Sequence, residues 1–359
     1  MFIVQDGLTT AVRRGRANRA RRKPASEARY HRYRSCVTEF LNIEVRNRVN
    51  SANMEAHPGS SRKAATHPEV CAVVVTYNPD SSLEQNVRAL LPQVGRVIMV
   101  DNQSSPATRS LVARVAADCE VEVVWNDQNL GIATGLNSGI DRALRYGQYS
   151  WIATFDQDSL VPPDFVATIF EAYSSCPFRD EVAMIGANYK LAMRKSPSEP
   201  TSVRDGSTFR EVKTLMTSGS FLKSSVFGRC GQFDQSLFMD YVDHEYCLRL
   251  RQHGFRIIQA LGAVLAHRLG SPTSYQILGK RFMVTNYSPS RRYSNARNRL
   301  VVYRQYLTFD TLWVLQDILK WLRETVTMIL AEQNRTKKLT SIARGVWDGL
   351  REPLRSAAH

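Results

Sequence analysis

Two aspartates separated by one glutamine are the first candidates for chemistry in this sequence, in the segment WIATFDQDSLVPPDF (residues 151–165). An apolar run leads into Asp156 and Asp158, and two prolines follow them. Side chains at i and i+2 of an extended chain project to the same side, so both carboxylates can share one cation. Mg²⁺ and Mn²⁺ favour carboxylate oxygens together with substrate phosphates. The pattern therefore indicates a divalent-metal site for a phosphorylated ligand, and a solvated turn is the simpler alternative.

The strand that must position these aspartates is the fourth in a regular alternation. VCAVVV (residues 70–75) is an unbroken apolar run, as in a strand buried on both faces of a parallel sheet. Three further strand-like runs follow, separated by stretches with helical periodicity, and the last ends at the aspartates. This order predicts an α/β fold with an open, mostly parallel sheet flanked by helices. Ligands of such sheets bind at the carboxyl ends of strands.

Polar turns at those ends supply further candidates. In VDNQSS, Asp101 directly follows four apolar residues. It could accept a hydrogen bond from a base N–H or a ribose hydroxyl, and an Asx turn explains it equally well. NDQNLGIATGLNSGI places Gly131, Gly135 and Gly139 four residues apart, which fits close helix packing or backbone approach to a ligand. The first turn, TYNPD, contains neither a dinucleotide fingerprint nor a P-loop.

The second half of the chain is less regular. The patterns predict a helix over residues 163–176, a strand near VAMIGANY, a surface insertion at 190–212, and a last strand in FRIIQALGAVLAHRLG. Residues 271–359 are expected to be mainly helical. Within this region LWVLQDILKWLRETVTMIL (residues 312–330) has a strong apolar face. It is predicted either to pack on the body or to lie at a bilayer interface, where a lipid-linked acceptor would be presented.

DYVDHEYCLR predicts a helix with a second group of acidic residues. Three apolar residues at i, i+4 and i+8 would face the core: Val242, Tyr246 and Leu250. Without any function, Asp240 and Asp243 would cap this helix and complement its dipole. Glu245 and Arg249 would then form a surface ion pair at i,i+4 spacing.

Charge and cysteine content bear on the cellular setting. The formal net charge is +15, and residues 1–66 hold 14 Lys and Arg against 5 Asp and Glu. This basic arm is expected to be disordered or loosely helical. Three explanations are open: it binds nucleic acid, it contacts a membrane surface, or it is not translated because the true initiator is Met54. The six cysteines are scattered, without a C-x-x-C pair, and are expected to be buried thiols. With no secretory signal and no spanning apolar run, a cytoplasmic location is predicted, with peripheral contact at the inner face of the plasma membrane as an alternative.

Taken together, eight segments resemble the family 2 glycosyltransferases with the GT-A fold, and most of all the bacterial rhamnosyltransferases. They occur in the family's order across residues 70–300: VVVTYNPD, VDNQSS, NLGIATGLNSGI, TFDQDS, TSGSFLK, FMDYVDHEYCLRLRQHG, AHRLG and YSNARNRL. The resemblance implies a GT-A catalytic domain over residues 67–270. Its nucleotide-binding half would be 67–165 and its acceptor-binding, catalytic half 166–270, followed by a helical C-terminal region at 271–359.

The resemblance also implies roles for individual residues. Eight would bind the nucleotide sugar: Thr76, Tyr77, Asn78, Asp101, Asn129, Gly131, Asp156 and Arg297. Asp158 would hold Mg²⁺ or Mn²⁺, with Asp156 and His267 beside it, and Asp243 would be the catalytic base. The family often has a Glu before that Asp, whereas this sequence has Val242. The assignment of the base therefore depends on Asp243 alone.

The activity implied is an inverting, metal-dependent transfer of a sugar, with L-rhamnose from dTDP-rhamnose as the first choice. The acceptor would be a cell-surface polysaccharide or a lipid-linked glycan, and no nucleic-acid partner is expected. Another nucleotide sugar is an alternative donor. Two other classes stay open: a nucleic-acid-binding protein acting through residues 1–66, and a metal-dependent phosphatase. Phosphatases of the haloacid dehalogenase type place Asp-x-Asp on the first core strand with Thr or Val where Leu160 stands.

Overall fold

Strands and helices alternate along the first half of the computed structural model, which describes residues 67–191, 206–267, 273–277, 280–284 and 286–353. The order is β1 (His67–Thr76), α1 (Leu83–Leu90), β2 (Val94–Asn102), α2 (Pro106–Asp118), β3 (Glu122–Asn126), α3 (Gly131–Arg145) and β4 (Trp151–Asp156). The predicted α/β alternation is confirmed, and β4 ends at the first of the two aspartates. The predictions for residues 1–66 lie outside the described residues.

The second half contributes shorter strands and the C-terminal helices. The order is α4 (Phe165–Ser174), β5 (Val182–Leu191), β6 (Phe209–Glu211), β7 (Ser220–Lys223), α5 (Val226–Cys230), α6 (Val242–Gln252), β8 (Arg256–His267), β9 (Thr273–Ile277), β10 (Lys280–Val284), α7 (Pro289–Tyr306), α8 (Thr311–Ala331) and α9 (Arg335–Arg351). β9 and β10 form an antiparallel pair that the helical expectation for residues 271–359 did not include. β6 lies within the predicted insertion and joins the sheet.

Eight of the described strands form one sheet in the order β3-β2-β1-β4-β7-β5-β8-β6. The first four are parallel, β7 runs antiparallel to both β4 and β5, and β5 pairs in parallel with β8. The register pairs Thr76 with Asp101 and Val75 with Asp156. Three of the predicted site residues therefore lie at neighbouring carboxyl ends, because parallel strands finish at the same edge.

Both faces of the sheet are covered, which explains the continuous apolar runs in the sequence. Val73 and Val75 point to a cluster shared with α3, α6 and α7, whereas Val74 points to a cluster shared with α1, α2 and α4. A Cβ at Gly139 would lie 2.3 Å from a methyl of Val73, and one at Gly135 would lie 2.9 Å from Val75. Close packing of α3 on β1 therefore accounts for these two glycines.

The C-terminal helices cover α6, and this cover makes one of the predictions wrong. Val242, Tyr246 and Leu250 are buried as expected. The expected surface pair of Glu245 and Arg249 is wrong, because both side chains are buried and the Tyr306 hydroxyl donates to Glu245 at 2.8 Å. α7 packs on this side of α6, and the i,i+4 spacing within α6 does not predict that another helix buries the pair.

A buried polar cluster attaches α8 to the segment before α6. The hydroxyls of Tyr241 and Tyr303 donate to Asp317, and the Arg299 Nε lies 3.3 Å from the same carboxylate. Burial acts to raise the pKa of Asp317, but the Arg299 charge and the two hydroxyls outweigh it and hold the pKa below its ordinary value. The position of α8 is thereby tied to the residues that lead into Asp243.

Two further expectations concern the cysteines and membrane spans. The five cysteines among the described residues are free and buried, as predicted: Cys71, Cys119, Cys176, Cys230 and Cys247. Burial raises the pKa of Cys71 and Cys247 to about 12, so these thiols stay protonated. Among the helices of the described part, none has the length and hydropathy required to cross a bilayer.

Candidate active site

Asp101 is the most deeply buried acidic group at the carboxyl edge of the sheet, with no exposed surface. Its Oδ2 accepts from the main-chain N of Ser104 at 3.1 Å and lies 3.3 Å from Nε of Arg109. Its Oδ1 is buried and has no hydrogen-bond partner among the described residues. A buried acceptor without a partner costs free energy, so this oxygen is suited to a donor that arrives with a ligand.

The side chains beside Asp101 complete one wall of this edge. The hydroxyl of Thr76 donates to the main-chain oxygen of Val100 at 3.3 Å, which seats the end of β1 against β2. The guanidinium of Arg109 lies over the ring of Trp125, 4.7 Å from its centre. Trp125 and Tyr77 are both exposed. Exposed aromatic side chains and one basic group therefore lie at the strand ends next to Asp101, which fits a nucleotide site.

Gln157 anchors the turn that carries the two aspartates. Its side-chain oxygen accepts from the main-chain N of Tyr77, and its own main-chain oxygen accepts from the side chain of Asn86, both at 2.7 Å. Asp156 donates its main-chain N–H to the hydroxyl of Ser218 at 3.1 Å. The turn is thus fixed to β1, α1 and the loop before β7, while Asp158 has no hydrogen bond or ion pair to a described residue.

The donor set at this turn fits a divalent cation that shares its ligands with a substrate. Both carboxylates are partly exposed at the end of β4. The described residues contain no group of three or more His, Cys, Asp or Glu side chains able to enclose a metal. Mg²⁺ and Mn²⁺ are commonly bound through one or two carboxylates, with phosphates and water as the other ligands. Asp156 and Asp158 match that type of site and not a closed cage.

Tyr189 connects the aspartate turn with Asp243. Its hydroxyl donates to the main-chain oxygen of Ser218, the residue whose side chain accepts from Asp156. Burial and, after it, the negative charges of Asp156 and Asp243 raise the pKa of Tyr189. Tyr189 therefore lies near enough to Asp156 and Asp243 for both negative charges to raise its pKa. Neither Tyr189 nor Ser218 was predicted as a site residue, although Tyr189 ends the predicted strand VAMIGANY and Ser218 lies in TSGSFLK.

Asp243 is the second residue of α6 and its side chain is 24% exposed. Its Oδ1 accepts from the main-chain N of His244 at 2.8 Å, and no Lys or Arg among the described residues pairs with it. The N-cap of α6 is Tyr241, without a side-chain capping bond. Asp240 pairs with Arg291 at 2.9 Å instead of capping the helix. Asp243 is thus a partly exposed carboxylate in the first turn of a helix, without a Lys or Arg partner among the described residues.

The loop that leads into Asp243 is strained and held by α7. Phe238, Asp240 and Tyr241 all have left-handed backbone, with φ of 51°, 60° and 66°. The buried amide of Asn298 donates to the main-chain oxygens of Leu237, Met239 and Asp240 at 2.5, 2.6 and 3.0 Å. Strain of this kind persists only where neighbouring structure enforces it, and it is concentrated at functional sites. Asn298, which the sequence did not single out, is therefore a positioning residue for this loop.

Asn129 and Gly131 join the same loop to the start of α3. The side-chain oxygen of Asn129 accepts from the main-chain N of Gly131 at 3.1 Å and from the Asn102 amide at 3.0 Å. Gly131 has φ of 89°, and a Cβ there would lie 2.2 Å from the main-chain oxygen of Phe238. Ile132 donates its main-chain N–H to that oxygen at 2.7 Å. The close approach at Gly131 is therefore to the loop before α6.

Replacing this glycine tests the junction of the two halves. Gly131→Ala is expected to lower the free energy of unfolding by about 2 kcal/mol or more beyond the cost of the left-handed backbone, because the methyl group meets a main-chain carbonyl. Gly147→Ala is the matched control, since Gly147 also has positive φ, of 70°, but open space around the added Cβ. Urea unfolding of both variants measures the difference, and equal losses would contradict the close contact.

The remaining predicted residues have mixed surroundings. Asn78 has φ of 48°, and its main-chain N donates to the Ser104 hydroxyl at 2.8 Å. Arg297 bonds to the main-chain oxygen of Ser236 at 2.9 Å and pairs with Glu352 at 2.6 Å, so the contacts shown brace the loop before α6. A role for Arg297 in donor binding stays a prediction. His267 is the last residue of β8, and its side chain lies outside the described residues.

Comparison with known proteins agrees with this geometry. Residues 71–229 match the family model described as glycosyl transferase family 2. The chain therefore contains a region similar to the family 2 glycosyltransferases. It is similar to the dTDP-rhamnosyl transferase RfbF of Shigella flexneri, with 28% identity over 295 residues that span 79% of this chain and 95% of that protein. The resemblance stated from the motifs is confirmed, and these matches favour a glycosyltransferase over the phosphatase alternative.

Solved structures show that the fold of this chain is similar to that of the GT-A glycosyltransferases. The mannosyltransferase PcManGT from Pyrobaculum calidifontis, in complex with GDP-Man and Mn²⁺, aligns with a TM-score of 0.51 and 15% identity over 84% of this chain and 92% of that one. GalNAc-T7 with UDP, GalNAc and Mn²⁺ aligns with a TM-score of 0.50 and 12% identity over 79% of this chain and 56% of that one. At these identities the likeness shows the fold alone.

Proposed function

We propose that this glycosyltransferase transfers L-rhamnose from dTDP-rhamnose, with inversion, to a hydroxyl of a cell-surface polysaccharide or lipid-linked glycan. The observation that carries a nucleotide donor is the buried, unpaired Oδ1 of Asp101 at the carboxyl edge of the sheet. The base of a thymidine nucleotide has an imide N–H that matches this acceptor. The choice of rhamnose is supported by the similarity to a dTDP-rhamnosyl transferase, which covers nearly the whole of that protein.

The nucleotide would bind along β1, β2 and the start of α3. Asp101 would accept from the base, and the exposed ring of Tyr77 offers a surface for stacking. The turns that hold the other predicted contacts meet at this edge: those of Thr76, Asn78, Asn129 and Gly131. Because a buried acceptor discriminates strongly against ligands that lack its donor, Asp101 would select bases with an imide N–H.

The diphosphate would lie next to the end of β4. Asp156 and Asp158 would hold Mg²⁺ or Mn²⁺, with His267 as a further predicted ligand and Arg297 as the predicted basic group. The bound cation would supply charge stabilisation for the departing diphosphate. On the protein's side, Gln157 and Ser218 fix the turn so that both carboxylates stay in place before the donor arrives.

Asp243 would act as the general base. The acceptor hydroxyl would transfer its proton to the carboxylate of Asp243 while its oxygen forms a bond to the anomeric carbon. The bond from that carbon to the diphosphate oxygen breaks on the opposite side, and dTDP leaves. A positioned carboxylate contributes about 10²- to 10⁴-fold to such a step. Asn298 and the Gly131 contact would set the position of Asp243 through the strained loop.

A donor screen tests the proposal. The purified chain is incubated with membrane extract as acceptor and with labelled dTDP-rhamnose, UDP-sugars or GDP-mannose, with Mn²⁺ or with excess chelator. We expect transfer from dTDP-rhamnose, its loss with chelator, and an anomeric configuration in the product opposite to that in the donor. Turnover of UDP- or GDP-sugars without dTDP-rhamnose would refute the donor. Chelator-resistant transfer would refute the metal, and a retained configuration would refute the inverting mechanism.

A further inference from the structure

One face of α8 is apolar and has no partner among the described residues. Large apolar side chains recur along it at intervals of three and four residues, each between 38 and 61% exposed. They include Leu312, Leu315, Leu319, Leu322, Val326 and Leu330. The opposite side of the helix is the one that packs on the body, through Trp313, Val314 and Met328. The exposed stripe is therefore additional to the face that the fold itself requires, and exposed apolar patches of this kind mark interaction surfaces.

The acidic and the basic residues of the C-terminal helices have different surroundings. Every acidic side chain in residues 311–353 bonds to a group of the protein: Asp317, Glu324, Glu332, Asp348 and Glu352. Six basic residues of the same segment are exposed: Lys320, Arg323, Arg335, Lys337, Arg344 and Arg351. The surface of this segment is thus apolar with an excess of positive charge, because Asp317 and Glu332 are buried and the partly exposed Glu324 and Glu352 are each paired with an arginine.

The apolar stripe and the exposed basic residues together distinguish two possible partners of the α8 face, a second copy of the chain and a lipid surface. Intervals of three and four residues would also suit a helix of a second copy, as in a coiled coil. In such a pair, however, Lys320 and Arg323 would face a second basic surface without acidic partners to balance it. An anionic lipid surface supplies the missing negative charge and accepts the apolar stripe at the boundary of headgroups and acyl chains.

We propose that α8 binds the surface of an anionic lipid bilayer, lying in the interface with its exposed apolar stripe inserted and its basic residues among the headgroups. α9 adds to the same surface chemistry through exposed Trp347 and Leu350, with Arg351 stacked on the Trp347 ring at 3.8 Å. Tryptophan and arginine are favoured at this depth of a membrane. The inference does not depend on which nucleotide sugar is the donor.

Vesicle sedimentation with the full chain tests this proposal. We expect binding to vesicles of phosphatidylcholine with about 30% phosphatidylglycerol, weaker binding to pure phosphatidylcholine, and release at about 0.5 M NaCl. Leu319→Gln with Leu322→Gln should lower the partition coefficient about tenfold or more, because these exposed leucines supply insertion. Since both are exposed, thermal unfolding should be unchanged.

A charge-matched pair of variants separates the helix from the net charge of the chain. Lys320→Gln with Arg323→Gln is expected to weaken binding about tenfold. Arg114→Gln with Arg145→Gln removes two exposed charges from α2 and α3 and should bind like the wild type. Equal binding by the leucine variant and the wild type would overturn the proposal. So would self-association of the wild type in sedimentation velocity that the leucine variant abolishes while vesicle binding is unchanged, since the partner would then be a second copy.

Discussion

Asp243→Asn is expected to lower kcat about 10³-fold, within the range for loss of a general base, while the Kd for the donor stays within about twofold. Asparagine keeps the size of the side chain and an oxygen that can accept from the main-chain N of His244, the one hydrogen bond the carboxylate is seen to make. It cannot take the proton of an acceptor hydroxyl. Initial rates of dTDP release at saturating donor, with calorimetry for donor affinity, separate the two quantities.

Asp118→Asn is the matched control for this substitution. Asp118 is exposed at the end of α2, toward the amino edge of the sheet, because the helix runs back from the carboxyl end of β2. The same chemical change there should leave kcat unaltered. If Asp243→Asn retained a rate within tenfold of the wild type, the base would have to be another group, and the proposed mechanism would be wrong at its central step.

Asp158→Asn is expected to lower kcat/KM by about 10²-fold or more and to raise the Mn²⁺ concentration required for half-maximal rate. The amide offers the cation a neutral oxygen in place of a charged one, and several kcal/mol of transition-state stabilisation depend on the metal. No described residue bonds to the Asp158 side chain, so the fold should not need its charge. Rates measured across a Mn²⁺ titration, with the thermal midpoint of each variant, test both parts.

Asp164→Asn provides the comparison for the metal site. Asp164 lies on the same connection after β4, is exposed, and makes no side-chain capping bond to α4. Its substitution should change neither the metal requirement nor the rate. An unchanged Mn²⁺ dependence for Asp158→Asn would mean that the second aspartate of the pair does not bind the cation, whatever the role of the first.

The position of the two aspartates at the end of a strand could be predicted because buried strands have a local signal in the sequence. A strand buried on both faces must be apolar throughout, so β1 and β4 could be recognised from sequence, and Asp156 had to mark an end. Parallel pairing then brings neighbouring carboxyl ends together, which is why Asp101 and Asp156 could be expected at one edge. The short strands β6, β9 and β10 have no such signal, since three to five residues are too few for a period.

Other features depended on contacts between distant segments. Glu245 and Arg249 were predicted to form a surface pair because their spacing within one helix allows it. Their burial is caused by α7, which begins more than 30 residues later in the chain. Gly131 was predicted to approach a ligand, and the structure shows that it lies against the main-chain carbonyl of Phe238. Tyr189 and Asn298 were not singled out, although Asn298 lies in YSNARNRL. The contact of Tyr189 exists only where β5 meets the loop before β7, and those of Asn298 only where α7 meets the strained loop before α6.

The sequence by itself predicted the alternation of strands and helices up to β4 and placed Asp101, Asp156 and Asp158 at strand ends. The alternation follows from apolar periodicity, which consecutive residues determine, whereas the family and the candidate base Asp243 followed from the resemblance of the motifs. Only the tertiary structure decided that Asp101 has an oxygen without a partner among the described residues, that the charges of Asp156 and Asp243 raise the pKa of Tyr189, and that the acids of the C-terminal helices are paired within the protein. Those outcomes depend on which far-apart side chains are buried against one another, and burial is a property of the packed chain.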